Sequence, residues 1–226
     1  MAVNHSFIGK SLKIMLRVTE IYYSIQGEGS KSGLPCVFVR LSGCNLRCSW
    51  CDTEYGFSGG KEMSCAEILR TVQEYNCSLV EVTGGEPLMQ TETPELVDLF
   101  LENEYSVMVE TGGSLDISVL SDKTIKIVDM KCPGSGMSEK NDYENLQRLT
   151  AIDELKFVVA DKKDFDWSCA LIKKHQLENR DNLIFSPVYG EVKLADLADW
   201  IMKSGLKVRL QVQLHKYIWG AEKTGV

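Results

Sequence analysis

Cys44, Cys48 and Cys51 stand in the run Cys44-Asn45-Leu46-Arg47-Cys48-Ser49-Trp50-Cys51, a spacing of thiols suited to holding a metal centre. Cysteine thiolates bind the irons of a [4Fe-4S] cluster, and a complete protein shell takes four of them. The local supply stops at three, which leaves one coordination position for something other than protein. A structural zinc site asks for four tetrahedral ligands, commonly as two separated pairs, whereas the next cysteine, Cys65, stands alone. A disulfide framework suits a small secreted chain, and a chain of 226 residues can bury a core without covalent staples. Cys36, Cys65, Cys77, Cys132 and Cys169 are scattered singly and read as small buried apolar residues without chemistry.

The elements that must position such a loop follow from composition and pattern. With 44% apolar residues, the chain suits one medium domain better than two small ones. No leader pattern and no apolar run of membrane length appears, so a cytoplasmic protein is expected, in a compartment that keeps thiols reduced. The 25 basic and 32 acidic side chains give a formal charge of -7, which opposes attachment to a phosphate backbone and favours a small-molecule substrate over nucleic acid. Strands rich in β-branched residues are predicted at Val18 to Ile25, Cys36 to Leu41, Leu79 to Thr83, Ser106 to Glu110, Ile125 to Asp129, Leu155 to Val159, Leu183 to Ser186 and Val208 to Val212. Ser64 with Glu67 makes a capping box for a helix after the cysteine loop, and Pro94 marks the start of the next. Further helices are predicted at about Thr93 to Glu104, Asn141 to Leu149, Phe165 to His175 and Leu194 to Lys203, with Asn141 and Glu144 read as a capping pair. Strands alternating with helices give an α/β fold with a largely parallel sheet. A complete eightfold barrel takes about 250 residues, so an incomplete, open βα barrel is expected, with its chemistry at the carboxyl ends of the strands.

After the strand ending at Thr83 comes Gly84-Gly85-Glu86-Pro87, where missing side chains let a ligand approach the backbone. Alone it is an ordinary βα turn. Together with the C-x3-C-x2-C run it resembles the GGEP motif of radical S-adenosylmethionine (SAM) enzymes, in which the amino and carboxylate groups of SAM occupy the open iron. Ser24-Ile25-Gln26-Gly27-Glu28-Gly29, Phe38-Val39-Arg40, Cys51-Asp52-Thr53 and Leu214-His215-Lys216-Tyr217 narrow the likeness. Over nearly the whole chain these segments resemble the 7-carboxy-7-deazaguanine synthase family. The resemblance implies a radical ring contraction of 6-carboxy-5,6,7,8-tetrahydropterin to 7-carboxy-7-deazaguanine with loss of ammonia, feeding queuosine and other 7-deazapurines. It also implies a [4Fe-4S] cluster, SAM, Mg2+, an electron donor such as flavodoxin and a homodimer. A SAM-derived radical, not a side chain, would take the substrate hydrogen.

Carried over residue by residue, Cys44, Cys48 and Cys51 would bind the cluster and Thr53 would give Mg2+ one oxygen. A loop hydroxyl bonded to nearby backbone is the plainer account of Thr53. Ile25, Gln26, Gly27, Arg40 and Thr83 would contact substrate. The Gln26 amide both donates and accepts, and the Arg40 fork suits a carboxylate or, more simply, an interstrand ion pair. Trp50, Cys51, Asp52, Gly85, Asp129, Met130, Lys131, Ser186, Pro187, Val188 and Tyr189 would hold SAM. One radical SAM domain would span residues 1 to 226, with an N-terminal extension over 1 to 15 and a tail over 214 to 226 near the active site. The Glu110-Thr111-Gly112-Gly113 turn would line the same cavity. The glycine-rich stretch from Lys131 to Gly136 lacks the Lys-Ser/Thr ending of a nucleotide P-loop and is not read as one. A glycyl-radical activating enzyme would share the cysteines and the glycine turn but has no evident need of Gln26, Arg40, Thr53 and His215-Lys216. A non-catalytic cluster carrier would not cleave SAM.

Overall fold

The computed structural model describes residues 14–226; the greater part of the expected N-terminal extension, residues 1–13, lies outside them. The strands are β1 (Met15–Ile25), β2 (Pro35–Leu41), β3 (Lys61–Ser64), β4 (Leu79–Gly84), β5 (Ser106–Thr111), β6 (Ile125–Asp129), β7 (Glu154–Val159), β8 (Leu183–Pro187) and β9 (Arg209–Leu210). They form one sheet in the order β3-β1-β2-β4-β5-β6-β7-β8-β9. Strand β1 runs antiparallel to β2 and β3, and every pair from β2 to β9 is parallel. The edges β3 and β9 are not bonded to each other, so the sheet is an open barrel segment.

Side chains alternate across each strand, and here the two faces differ in kind. Val37, Val39, Val80, Val82, Val107 and Val109 point outward into the main core. Against them pack α1 (Cys65–Gln73), α2 (Thr93–Glu102), α4 (Lys162–Lys174) and α5 (Leu194–Ser204), through Ile68, Val97, Phe100, Ile172 and Leu197. Two short helices, α3 (Asn145–Arg148) and α6 (Leu214–Ile218), complete the set. The opposite, concave face holds a small apolar cluster of Cys36, Phe38, Leu79, Met108 and Ile127, and above it stand charged residues.

Several elements depart from the expectation. β3 is an unforeseen strand because Lys61-Glu62-Met63 is polar; it adds at the edge, pairing with Met15–Val18. The strand anticipated at Val208 to Val212 shrinks to Arg209–Leu210, with one further bond to β8 from Gln211 N–H to Phe185 O at 3.0 Å. Asn141 does not cap a helix: its amide bonds the backbone of Lys131 twice, at 2.9 Å each, and only Asn145–Arg148 is α-helical. Helix α4 begins earlier than expected, because the Asp161 carboxylate accepts from the N–H groups of Lys163 and Asp164. The Ser64 and Glu67 capping box is present in both directions, at 3.2 and 2.7 Å. Among the described residues no helix is long and apolar enough to cross a membrane.

Two stability outcomes follow from these ends. Gln176, just past α4, has φ of 56°, so Gln176→Gly is expected to raise unfolding free energy by about 1 kcal/mol. Ser64→Ala is expected to lower it by about 1 kcal/mol. Urea denaturation midpoints check both.

Candidate active site

The concave face opens at the carboxyl ends of the strands into a cavity of about 820 Å³. The cysteine loop forms one wall. It is anchored by Leu46, which is buried, and by Ser49, whose N–H donates to Ser135 O at 3.1 Å and whose hydroxyl donates to Gly134 O at 2.8 Å. The glycine-rich stretch after Lys131 is thus a dock for the cysteine loop. Arg47 donates to the carbonyls of Cys44 and Leu46 at 2.8 and 2.6 Å, and its guanidinium lies 4.2 Å from the Phe57 ring centroid. The three thiols are free, half-buried and on the same cavity. Burial pushes the Cys44 and Cys48 thiols up, and nearby Lys131 works against it. Among the described residues no three His, Cys, Asp or Glu side chains converge on a single ion. Thiols distributed along one wall fit a cluster, in which each cysteine takes its own iron, better than a lone metal.

The Gly84-Gly85-Glu86-Pro87 turn braces this wall. A Cβ at Gly85 would meet Cys44 Cβ at 2.6 Å, so only glycine permits the approach. The Glu86 N–H donates to Gly43 O at 2.8 Å. The Glu86 carboxylate accepts from Leu88 N at 3.0 Å, Gly112 N at 2.7 Å and the Thr111 hydroxyl at 2.9 Å, which joins the turns after β4 and β5.

Ile25, Gln26, Gly27, Arg40 and Thr83 all line the cavity, as do Trp50, Cys51, Asp52, Thr53, Gly85, Asp129, Lys131, Pro187, Val188 and Tyr189. Met130 and Ser186 do not: Met130 is buried in the core under the helices, and Ser186 is buried beneath the cavity. Arg40 donates to Glu20 at 2.7 Å and to the Tyr22 hydroxyl at 3.0 Å, so the interstrand ion pair exists alongside its place on the wall. The Thr53 hydroxyl donates to Asp52 at 3.1 Å. Lys216 of α6 reaches Asp52 at 2.7 Å, and residues Ala221 to Val226 also line the cavity. Burial opposes ionisation of Asp52, but Lys216, Thr53 and Gln213 hold its carboxyl well below the usual range. Burial and Lys216 lower His215.

Gln26 and Glu110 lie on the cavity floor where they were expected, but Glu81 and Lys156, which complete its charge, were not anticipated. Lys156 bonds Glu28 and, at 2.7 Å, Glu110; Gln26 donates to Glu81. The signal was a charge flanked on both sides by apolar strand residues, as in Val80-Glu81-Val82 and Leu155-Lys156-Phe157. Alternation sends those charges to the face away from the helices. Burial raises Lys156's cost of ionisation, yet Glu110 and Glu28 hold its pKa well above the usual range. Burial, with Glu110 close by, pushes Glu81 up to about 8.

The folded chain therefore binds a proton on Glu81 that the unfolded chain releases near 4.5. Stability is expected to fall as pH rises from 4.5 to about 8 on this account. Denaturation of Glu81→Gln across that range is expected to show a shallower decline.

Comparison with known proteins agrees with this geometry. Residues 38–130 match the Radical SAM superfamily. The 7-carboxy-7-deazaguanine synthase of Koribacter versatilis is 43% identical, over 93% of this chain and 100% of that protein. The protein of the same name from Chlorobaculum tepidum is 40% identical, over 96% of this chain and 100% of its own length. The crystal structure of QueE from Escherichia coli shares the fold, with a TM-score of 0.75 at 21% identity, covering 92% of this chain and 99% of that one. On these whole-length identities the chain belongs to the 7-carboxy-7-deazaguanine synthase family of radical SAM proteins, which work with a [4Fe-4S] cluster and SAM.

Proposed function

We propose that this chain is a carbon-nitrogen lyase that contracts 6-carboxy-5,6,7,8-tetrahydropterin to 7-carboxy-7-deazaguanine with release of ammonia. The observation that carries the reading is a single cavity with three free thiols on its wall and a polar, hydrogen-bonding floor suited to a pterin. Cys44, Cys48 and Cys51 hold the cluster. With SAM bound, the cluster supplies the radical chemistry. The residues of the chain bind, orient and keep water away.

Gln26 and Glu81 act as a pair facing the lactam and amino edge of the pterin, since an amide and a protonated carboxyl both donate and accept. Ile25, Gly27 and Thr83 shape that subsite. Lys156 fixes the spacing of Glu28 and Glu110 beside it. Arg40, oriented by Glu20 and Tyr22, offers its remaining N–H groups to the substrate carboxylate. Thr53 gives Mg2+ one oxygen, water and substrate completing an octahedral shell. Trp50 to Asp52, Gly85, Asp129 to Lys131 and Ser186 to Tyr189 hold SAM, with Met130 and Ser186 contributing through backbone. One radical SAM domain spans the chain, its tail over 214 to 226 closing the cavity. A one-electron donor such as flavodoxin, a homodimer, a cytoplasmic setting and a product destined for queuosine or another 7-deazapurine complete the proposal.

The test is anaerobic reconstitution, then incubation with SAM, reductant, Mg2+ and the pterin, with mass detection of product. The expected result is product from the unaltered protein and none from Cys48→Ala. SAM cleavage without product, despite a full cluster, would contradict the substrate assignment. Arg40→Lys is expected to raise KM for the pterin by about tenfold or more, because a point charge replaces the fork; initial rates over a range of pterin concentrations check it.

A further inference from the structure

The connection between β1 and β2 is buried over its first half, from Gln26 to Gly29, and exposed or half-buried beyond it. The buried half lies against Ile127 and Met108 and is held by two buried side chains. Gln211, 8% exposed, grips Gly29 in both directions: Gly29 N–H donates to Gln211 Oε1 at 2.6 Å, and Gln211 Nε2 donates to Gly29 O at 2.8 Å. Glu154, fully buried, accepts from Ser30 N–H at 2.8 Å through Oε1, while its Oε2 has no hydrogen-bond partner among the described residues. Gly29 has φ of 69°, and a Cβ there would meet Glu154 Oε2 at 2.8 Å and Ile127 Cδ1 at 3.2 Å. The turn is therefore pressed against the sheet at a point where no other residue fits.

The same turn carries the groups that face the cavity. Gln26 reaches Glu81 and Glu28 reaches Lys156, while Glu28 N–H donates to Gln26 Oε1 at 3.0 Å. Gln26, Glu28, Gly29 and Ser30 are consecutive or nearly so, so displacement of Gly29 moves both functional side chains. Neither Gln211 nor Glu154 lines the cavity. Both act on backbone atoms only, from the side of the turn away from it. Burying a carboxylate with one unpartnered oxygen is costly, and the core alone gives no reason for it.

We propose that Gln211 and Glu154 are positioning residues for the reaction: they clamp the Gly29-Ser30 backbone so that Gln26 and Glu28 meet the substrate at a fixed height. The inference rests on the substrate reading above. It is tested with the reconstituted holoenzyme and the variants Gln211→Met, Glu154→Met and Glu154→Gln, by amide hydrogen exchange and by initial rates with the pterin. Gln211→Met is expected to speed exchange at Gly29 about tenfold without speeding it in β5 and β6. KM for the pterin is expected to rise about tenfold, with kcat and SAM affinity little changed. Glu154→Gln keeps the acceptor for Ser30 and is expected to bring KM back toward the unaltered value, whereas Glu154→Met is not. Faster exchange spread through the sheet, or a lower melting temperature with unchanged KM, would overturn the clamp and leave the two residues purely structural. Absence of pterin turnover by the unaltered, SAM-binding holoenzyme would instead overturn the substrate assignment and the role with it.

Discussion

Lys156 is buried between Glu28 and Glu110, and the concave side of the sheet is arranged around that contact. A charge taken out of water must be paired, and removing one partner of a buried pair costs about 3–5 kcal/mol. The three groups come from distant parts of the chain: the β1–β2 turn, β5 and β7. Their pairing ties the antiparallel opening hairpin to the parallel strands across the gap that an open sheet leaves. It also forbids an apolar filling there, which keeps the cavity polar and large enough for a ligand.

The cavity has two walls of different construction. On one side the cysteine loop is held by contacts that do not involve disulfides, from Glu86 to Gly43 and from Ser49 to Gly134 and Ser135, and its thiols are unbridged. On the other, side chains pair among themselves, as in Gln26 with Glu81. The segment from Gln211 to Lys216 joins the two: Gln213 bonds Glu28 at 2.8 Å, Leu214 N–H bonds Gly27 O at 3.2 Å, and Lys216 bonds Asp52 at 2.7 Å. Two walls fixed by one strap are held at a set separation, and a set separation of reacting groups is the geometric part of catalysis.

Local spacing made much of this legible beforehand. Three cysteines within eight residues, the glycine turn after Thr83 and the β-branched runs all express themselves over a few positions, so the open βα barrel and the cysteine site could be read directly. What could not be read depends on register between remote segments. Glu81 and Lys156 are 75 positions apart in sequence and line one cavity only because their strands present the same face. Asn141 carries a good capping signal, yet a backbone pair at Lys131 competes for the same amide and wins. The Gln211 side chain reaches back 182 positions to Gly29, which no local pattern announces. Each miss is a tertiary contact overriding a local preference.

In the proposed function, three thiolates on one cavity wall hold a cluster with one iron open to SAM. Electron paramagnetic resonance of the anaerobically reconstituted, reduced protein tests it most directly when recorded before and after addition of SAM. The expected result is a [4Fe-4S] signal whose shape changes with SAM, and no such cluster signal in Cys44→Ala. A cluster signal that SAM leaves unaltered would mean that the fourth iron is already closed, and would contradict it.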